Sequence, residues 1–154
     1  MRAILQRVAH AEVCVDGQTV GSCGRGFLIL LGVGPSDTTA EADMLLNKIV
    51  KLRVFTDEND KMNLSVQDID GELLVVSQFT LYADCRHGNR PSFTDAAPPE
   101  QADRLYRYFA ERASETVRHV GTGQFGASMQ VSLLNDGPVT IYLDTEHLSR
   151  RKAE

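Results

Sequence analysis

The sequence predicts a single α+β domain: a curved, mostly antiparallel sheet with barrel-like strands, covered by two main helices. Three observations carry this. Several segments show apolar alternation or short unbroken apolar runs, the marks of half-buried and fully buried strands. Two other segments repeat their apolar residues at helical spacing, and Gly, Pro, Asn and Asp punctuate the gaps. At 154 residues and 42% hydrophobic content, the chain is long enough for one substantial core.

Residues 2–15 alternate over part of their length (Ile4, Gln6, Val8, then Val13, Val15) and end at Asp16-Gly17. Asp-Gly between apolar stretches signals a hairpin, because both central residues of that turn need positive φ. The partner strand is expected over residues 18–22. Gly24-Arg25-Gly26 leads into the apolar run Phe27-Leu28-Ile29-Leu30-Leu31-Gly32-Val33, a buried strand. The nearby glycines lack G-x-G-x-x-G spacing and no G-K-[ST] follows, so they do not make a phosphate loop. Thr38-Thr39-Ala40-Glu41 fits a capping box. Ala42, Leu45, Leu46, Ile49 and Val50 then place a helix over residues 39–51. A short strand over 52–55 and an acidic turn over 56–60 precede Asp70-Gly71 and a strand over 72–81.

Residues 82–97 form the longest irregular segment and hold the basic loop Arg86-His87-Gly88-Asn89-Arg90-Pro91-Ser92-Phe93. Pro98-Pro99 open the second helix, where a first-turn proline loses no hydrogen bond. Its stripe is Ala102, Leu105, Tyr106, Phe109, Ala113, Val117 and Val120, with Gly121 as the stop and residues 121–126 as a hinge. Two strands over 129–134 and 139–143, joined by Asn135-Asp136-Gly137-Pro138, complete a domain spanning 1–148. The basic tail 149–154, with Arg150-Arg151-Lys152, is expected to fray.

A formal net charge of -5 argues against indiscriminate nucleic-acid binding but leaves room for a local basic patch. Gln6-Arg7 interrupts the opening apolar residues, so no signal peptide is expected. No apolar run approaches the roughly 20 residues of a membrane span. Cys14, Cys23 and Cys85 are odd in number with no C-x-x-C, which fits reduced thiols in the cytoplasm. The four histidines include no pair at i, i+4, so no metal site is expected.

Two stretches are candidates for chemistry. Glu72-Leu73-Leu74-Val75-Val76 begins as a core strand and then delivers Ser77, Gln78 and Thr80 around Phe79. Polar groups there cost free energy unless satisfied or used. Either the strand runs out into solvent, or these residues form a site on a rigid element. Gly137-Pro138 stands where a strand begins, one of the few places a sheet accepts proline. It is either a plain tight turn or a cis bond that aims neighbouring carbonyls to one side. Arg86 and Arg90 are either phosphate contacts or solvated cations.

Together, Ser77-Gln78-Phe79-Thr80-Leu81, Asn135-Asp136-Gly137-Pro138-Val139-Thr140, Phe125-Gly126-Ala127 and Arg90-Pro91-Ser92-Phe93 resemble the D-aminoacyl-tRNA (D-tyrosyl-tRNA) deacylase family. Gln6-Arg7-Val8 is similar to the family's opening, and the resemblance spans residues 1 to about 145. It implies a cytoplasmic homodimer that hydrolyses the ester between a D-amino acid and the terminal adenosine of tRNA, without metal or cofactor. Ser77, Gln78, Phe79 and Thr80 of one subunit would floor the catalytic pocket, and Gly137-Pro138 of the other would be inserted into it to reject L-amino acids. Arg7 would brace that motif, Ala102 and Met129 would line the pocket, and Arg86 and Arg90 would meet tRNA. Glycine has no side chain to exclude, so glycyl-tRNA is expected to be cleaved too.

The main-chain N–H groups of Phe79 and Thr80 are candidate oxyanion donors. No His-Asp or Cys-His pair is implied by spacing. Two routes stay open: Thr80 as nucleophile if a neighbour takes its proton, or the family's route, in which the 2′-hydroxyl of the terminal ribose activates water. Two rival readings are a nucleic-acid binding module without catalysis and a thiol hydrolase using Cys85, which alkylation would inactivate.

Overall fold

A computed structural model describes residues 1–148; the basic tail 149–154 lies outside the described residues. The long strand β1 (Arg2–Val15) is the hub. Along one edge its first half pairs with β3 (Gly26–Gly32) and its second half with β2 (Gln18–Cys23), both antiparallel. The hairpin turn is as expected, with positive φ at both Asp16 (50°) and Gly17 (77°). Along the other edge β1 pairs antiparallel with β8 (Gln130–Asp144).

Beyond β3 the sheet continues in parallel, through β6 (Glu72–Ser77) to β7 (Val120–Thr122). Parallel neighbours need long crossovers, and the helices supply them: α1 (Thr39–Lys51) before β6, and α2 (Pro99–Ser114) before β7. A small hairpin, β4 (Phe55–Thr56) with β5 (Met62–Leu64), follows α1. A single turn, α3 (Thr145–Leu148), follows β8. The outer strands β2 and β7 meet main chain to main chain. A Cβ on Gly21 would overlap the Thr122 carbonyl, and one on Gly121 the Ser22 carbonyl, so the sheet is a nearly closed barrel.

At β3 and β6 both sheet faces are buried. Along β3 and β6, Phe27, Ile29, Leu73 and Val75 point to the cluster under the helices, while Leu28, Leu74 and Val76 join a second cluster with Val8, Ala11 and Val13. The capping box of α1 forms as its sequence predicts: Ala40 N–H donates to Thr38 Oγ1 at 3.2 Å, and Thr38 N–H to Glu41 at 2.6 Å. Ala42, Leu45, Leu46, Ile49 and Val50 are buried beneath it. On α2 the buried residues are Ala102, Leu105, Tyr106, Phe109 and Ala113. Phe109, fully buried, contributes about 1.5–3 kcal/mol.

Four sequence expectations are corrected. The second helix ends at Ser114 instead of reaching Val120. Thr116 N–H and its hydroxyl both donate to the Ala113 carbonyl, and Val120–Thr122 instead pairs with β6, so Gly121 is a strand residue, not part of a hinge. The strand expected over 72–81 ends at Ser77, and Phe79–Tyr82 form a 3₁₀ turn. The strands expected over 129–134 and 139–143 are one strand with an excursion. Between the pairs Val8↔Asn135 and Gln6↔Thr140, β1 advances two residues while β8 advances five. The strand expected over 52–55 lies instead at Phe55–Thr56, paired with an unforeseen β5.

Candidate active site

The site begins where β6 runs out of partners. Gln78 N–H makes a last bond to the Leu31 carbonyl at 2.8 Å, one residue before β3 ends. The chain then curls, with Leu81 N–H donating to the Gln78 carbonyl (3.2 Å) and Ala83 N–H to that of Thr80 (3.0 Å). Gly32 makes room for this turn, since a Cβ there would sit 3.0 Å from the Leu81 side chain and 3.1 Å from the Gln78 carbonyl. Arg2 holds the far end of the turn: Nη1 donates to the Leu81 carbonyl at 3.0 Å, and its guanidinium stacks 4.3 Å from the centre of the Tyr82 ring. Burial, and then the nearby Asp37 carboxylate, push the Tyr82 phenol upward, so it stays neutral.

On the turn, Ser77 is half-buried and Thr80 exposed. The Gln78 side-chain amide donates to Thr80 Oγ1. Phe79 is 53% exposed, and its ring meets Phe93 edge-on with centroids 5.0 Å apart. That pairing fixes the adjacent loop over the turn. The sequence offered Phe93 as an aromatic within a basic loop and as the end of a family motif, and contact across such a distance in sequence has no local signal.

Gly137-Pro138 occupies the tip of the β8 excursion, and the peptide bond between them is cis. Arg7, with only 9% of its surface exposed, reaches the tip from β1. Its Nε donates to the Asp136 carbonyl at 2.8 Å and its Nη1 to the Val54 carbonyl at 2.7 Å. The Asp136 carboxylate lies 3.8 Å away. Gly137 has φ of 141°, and a Cβ there would lie 2.8 Å from Val139 Cγ2 and 3.1 Å from Arg7 Nη2, so only glycine fits. At the neck of the excursion, Asn135 Nδ2 donates to the Val139 carbonyl and Val139 N–H to Asn135 Oδ1, each at 3.1 Å. The sequence marks Asn135 as a turn residue, but nothing local foretells that clamp.

The structure brings Arg7 to Gly137 and Phe79 to Phe93. It does not bring the two motifs together within one chain. The excursion lies level with Arg7, which pairs with Phe27 and through it Leu73, whereas Ser77 lies level with Leu31. That offset of four residues is about 13 Å along the strands, and three strand spacings separate β8 from β6. Ala102 and Met129 also belong to different environments. Ala102 is in the cluster beneath the helices, and Met129 packs on the second cluster.

The basic loop is clipped shut by a two-way main-chain bridge between Asp84 and Ser92 (2.7 and 2.9 Å). Arg86 folds back on Asp84, Nη2 to Oδ2 at 2.8 Å, and its side-chain and main-chain hydrogen bonds pull the Asp84 carboxyl down to about 2. Arg90 is exposed. Of the cysteines, Cys85 is exposed and Cys23 buried; burial, and then the Glu72 carboxylate, push the Cys23 thiol up to about 12.

Residues 4–144 match the family described as D-Tyr-tRNA(Tyr) deacylase. A D-aminoacyl-tRNA deacylase of Clostridioides difficile is 57% identical over 145 residues, 94% of this chain and 97% of that one. Another, of Roseiflexus castenholzii, is 59% identical over 145 residues, 94% of this chain and 92% of that one. Among solved structures, the c-Myc DNA Unwinding Element Binding Protein superposes with a TM-score of 0.88 at 46% identity, over 94% of this chain and 98% of that one. A probable eukaryotic D-amino acid tRNA deacylase shares the fold at 16% identity, with a TM-score of 0.80 over 92% and 97% of the two chains.

Proposed function

Since the chain belongs to the D-aminoacyl-tRNA deacylase family of hydrolases, we propose that its active site is completed by a second copy of the same chain. One observation carries this reading. The Gly137-Pro138 tip is exposed and held from two sides, yet lies far from the Ser77–Thr80 turn of its own chain. A projecting, braced tip suits a receptor on a partner. A two-fold pairing would give two identical sites, each made of one turn and the other chain's tip. Leu134 and Tyr142, 54% and 51% exposed on β8 either side of the tip, supply apolar area for such a contact.

The ester of aminoacyl-tRNA is already activated, so positioning and oxyanion stabilisation matter more than a strong nucleophile. The first amides of a helical turn have no acceptor within it. Phe79 and Thr80 N–H are such amides, and they would hold the oxyanion as water attacks the carbonyl carbon. Thr80 is a weak candidate nucleophile. Its oxygen accepts from the Gln78 amide, and an amide cannot take its proton. The 2′-hydroxyl of the substrate's own terminal ribose is the remaining base route. Arg90, and Arg86 once released from Asp84, would meet tRNA phosphates; an exposed ion pair is worth little and yields to a phosphate. Ala102 and Met129 would line the pocket in the assembled dimer. A tRNA substrate supports a cytoplasmic reading. No helix among the described residues is long and apolar enough to cross a membrane.

Selection is by exclusion. Discrimination on the order of 10⁴ needs roughly 5.4 kcal/mol, and enantiomers share every atom, so attraction alone cannot supply it. Rejection needs something that does not yield. The tip is main chain pinned by Arg7, and no rotamer change moves it. Glycyl-tRNA has nothing to exclude and is cleaved as well. The test is deacylation of matched D-tyrosyl-, L-tyrosyl- and glycyl-tRNA at equal enzyme concentration. The D and glycyl substrates are expected to be hydrolysed and the L substrate spared. If glycyl-tRNA is spared as fully as the L form, exclusion at the tip is wrong.

A further inference from the structure

We infer that Asn135 is a positioning residue for substrate selection: its side-chain amide closes the neck of the β8 excursion and so fixes the direction in which Gly137-Pro138 projects. The inference rests on the reading that this tip selects the substrate.

The register explains why a side chain is needed there. Asn135 is opposite Val8 and Thr140 opposite Gln6, so residues 136–139 have only Arg7 across from them. The Val139 N–H and carbonyl therefore fall outside the ladder, and half-buried main-chain groups require partners. Asn135 supplies both, one donor and one acceptor at 3.1 Å each, and imitates a ladder pair across the neck. The Val139 main chain dictates which way the amide faces, since its N–H must meet the oxygen and its carbonyl the nitrogen.

The two braces divide the work. Arg7 ties the Asp136 carbonyl, on the incoming side of the tip. Nothing from Arg7 reaches the outgoing side by hydrogen bond, and there Val139 is held by Asn135. With the clamp removed, the tip is fixed on one side only and can swing about Asp136. An L side chain would then find the space that a rigid tip denies it. No other common side chain serves equally. Aspartate keeps an acceptor for Val139 N–H but turns an oxygen on the Val139 carbonyl, and glutamine is one methylene too long for the neck.

The experiment compares kcat/KM for D- and L-tyrosyl-tRNA in Asn135→Ala, Asn135→Asp and Pro138→Ala. Phe109→Leu serves as a core variant destabilised without touching the tip. The D/L ratio is expected to fall about tenfold or more in Asn135→Ala, the scale of losing one or two hydrogen bonds. The fall should come from a rise in L-tyrosyl-tRNA cleavage, with the D rate within a few-fold of the parent. Asn135→Asp is close in shape and keeps one bond, so it reports even if the alanine variant folds poorly, and its ratio should fall too. Phe109→Leu should lower the melting temperature and leave the ratio unchanged. A ratio that holds in both Asn135 variants while Pro138→Ala abolishes it overturns the inference and leaves selection at the tip standing. A fall of equal size in Phe109→Leu also overturns it, because general loosening would then suffice. A ratio indifferent to Pro138→Ala overturns selection at the tip, and this inference with it.

Discussion

Thr80 offers the sharpest test at the scale of single residues. Its hydroxyl oxygen is occupied by the Gln78 amide, and among the described residues no general base bonds to it. Thr80→Ala should therefore keep its kcat on D-aminoacyl-tRNA within about tenfold, since only a neutral hydrogen bond is lost. Single-turnover deacylation at background rate, with substrate binding intact, would make Thr80 the nucleophile. The cysteines divide as their surroundings dictate. Cys23 is buried, with its thiol pushed up to about 12, so it carries almost no thiolate at pH 8. Cys85 is exposed. Iodoacetamide at pH 8 should modify Cys85 well before Cys23 and leave deacylation unchanged. Activity that falls in step with Cys85 labelling would revive the thiol-hydrolase reading.

At the scale of elements, the loop and the barrel seam make separate demands. Arg86 lowers the Asp84 carboxyl to about 2 from an ordinary value near 4, through hydrogen bonds to the charged form. The stability this pair lends is present above about pH 4 and is lost as pH falls through 2. The Asp84 carboxyl carbon, followed by NMR, should titrate near 2, and a midpoint near 4 would mean that the ion pair does not form. The seam between β2 and β7 relies on absent side chains. A methyl at Gly21 would overlap the Thr122 carbonyl, which is main chain and cannot turn away. Gly21→Ala should cost about 1–3 kcal/mol or more. Chemical denaturation would show it as a lower midpoint, and an unchanged midpoint would mean that the strands part freely.

Assembly belongs to the whole molecule. If the site is shared as proposed, two sites built from four parts, one turn and one tip from each chain, would make activity depend on association. Sedimentation should show a dimer at assay concentrations, and specific activity should fall on dilution below its dissociation constant. Mixing an excess of a Pro138→Ala chain with the parent should then give hybrids in which one site has an intact tip and the other does not. A monomer that is fully active at assay concentration would remove the argument for a shared site.

How much of this was legible depended on the range of the interaction. The capped helix over 39–51 was readable to its ends, because a capping box and an apolar stripe act within a few residues. The Asp16-Gly17 hairpin was readable for the same reason. The 77–81 stretch stood out as polar groups at the end of a core strand and 135–140 as a Gly-Pro where a strand begins, and together they carried the family. Most of what the sequence misjudged was settled by a distant neighbour. Val120 continues a helical stripe on paper and Gly121 stops it, yet β6 pairs with both as a strand and β2 packs against that strand. Residues 78–81 leave the sheet because β3 stops beside them, and Arg2 and Gly32 then hold the turn. The Asn135 clamp, the reach of Arg7 to Asp136 and Val54, and the Phe79–Phe93 contact join residues that periodicity cannot relate. Local pattern determined most of the elements that form, because caps, turns and amphipathic stripes are short-range physics. Only the tertiary structure decided where they stop and which side chains meet, because strand pairing and packing are contests among distant partners.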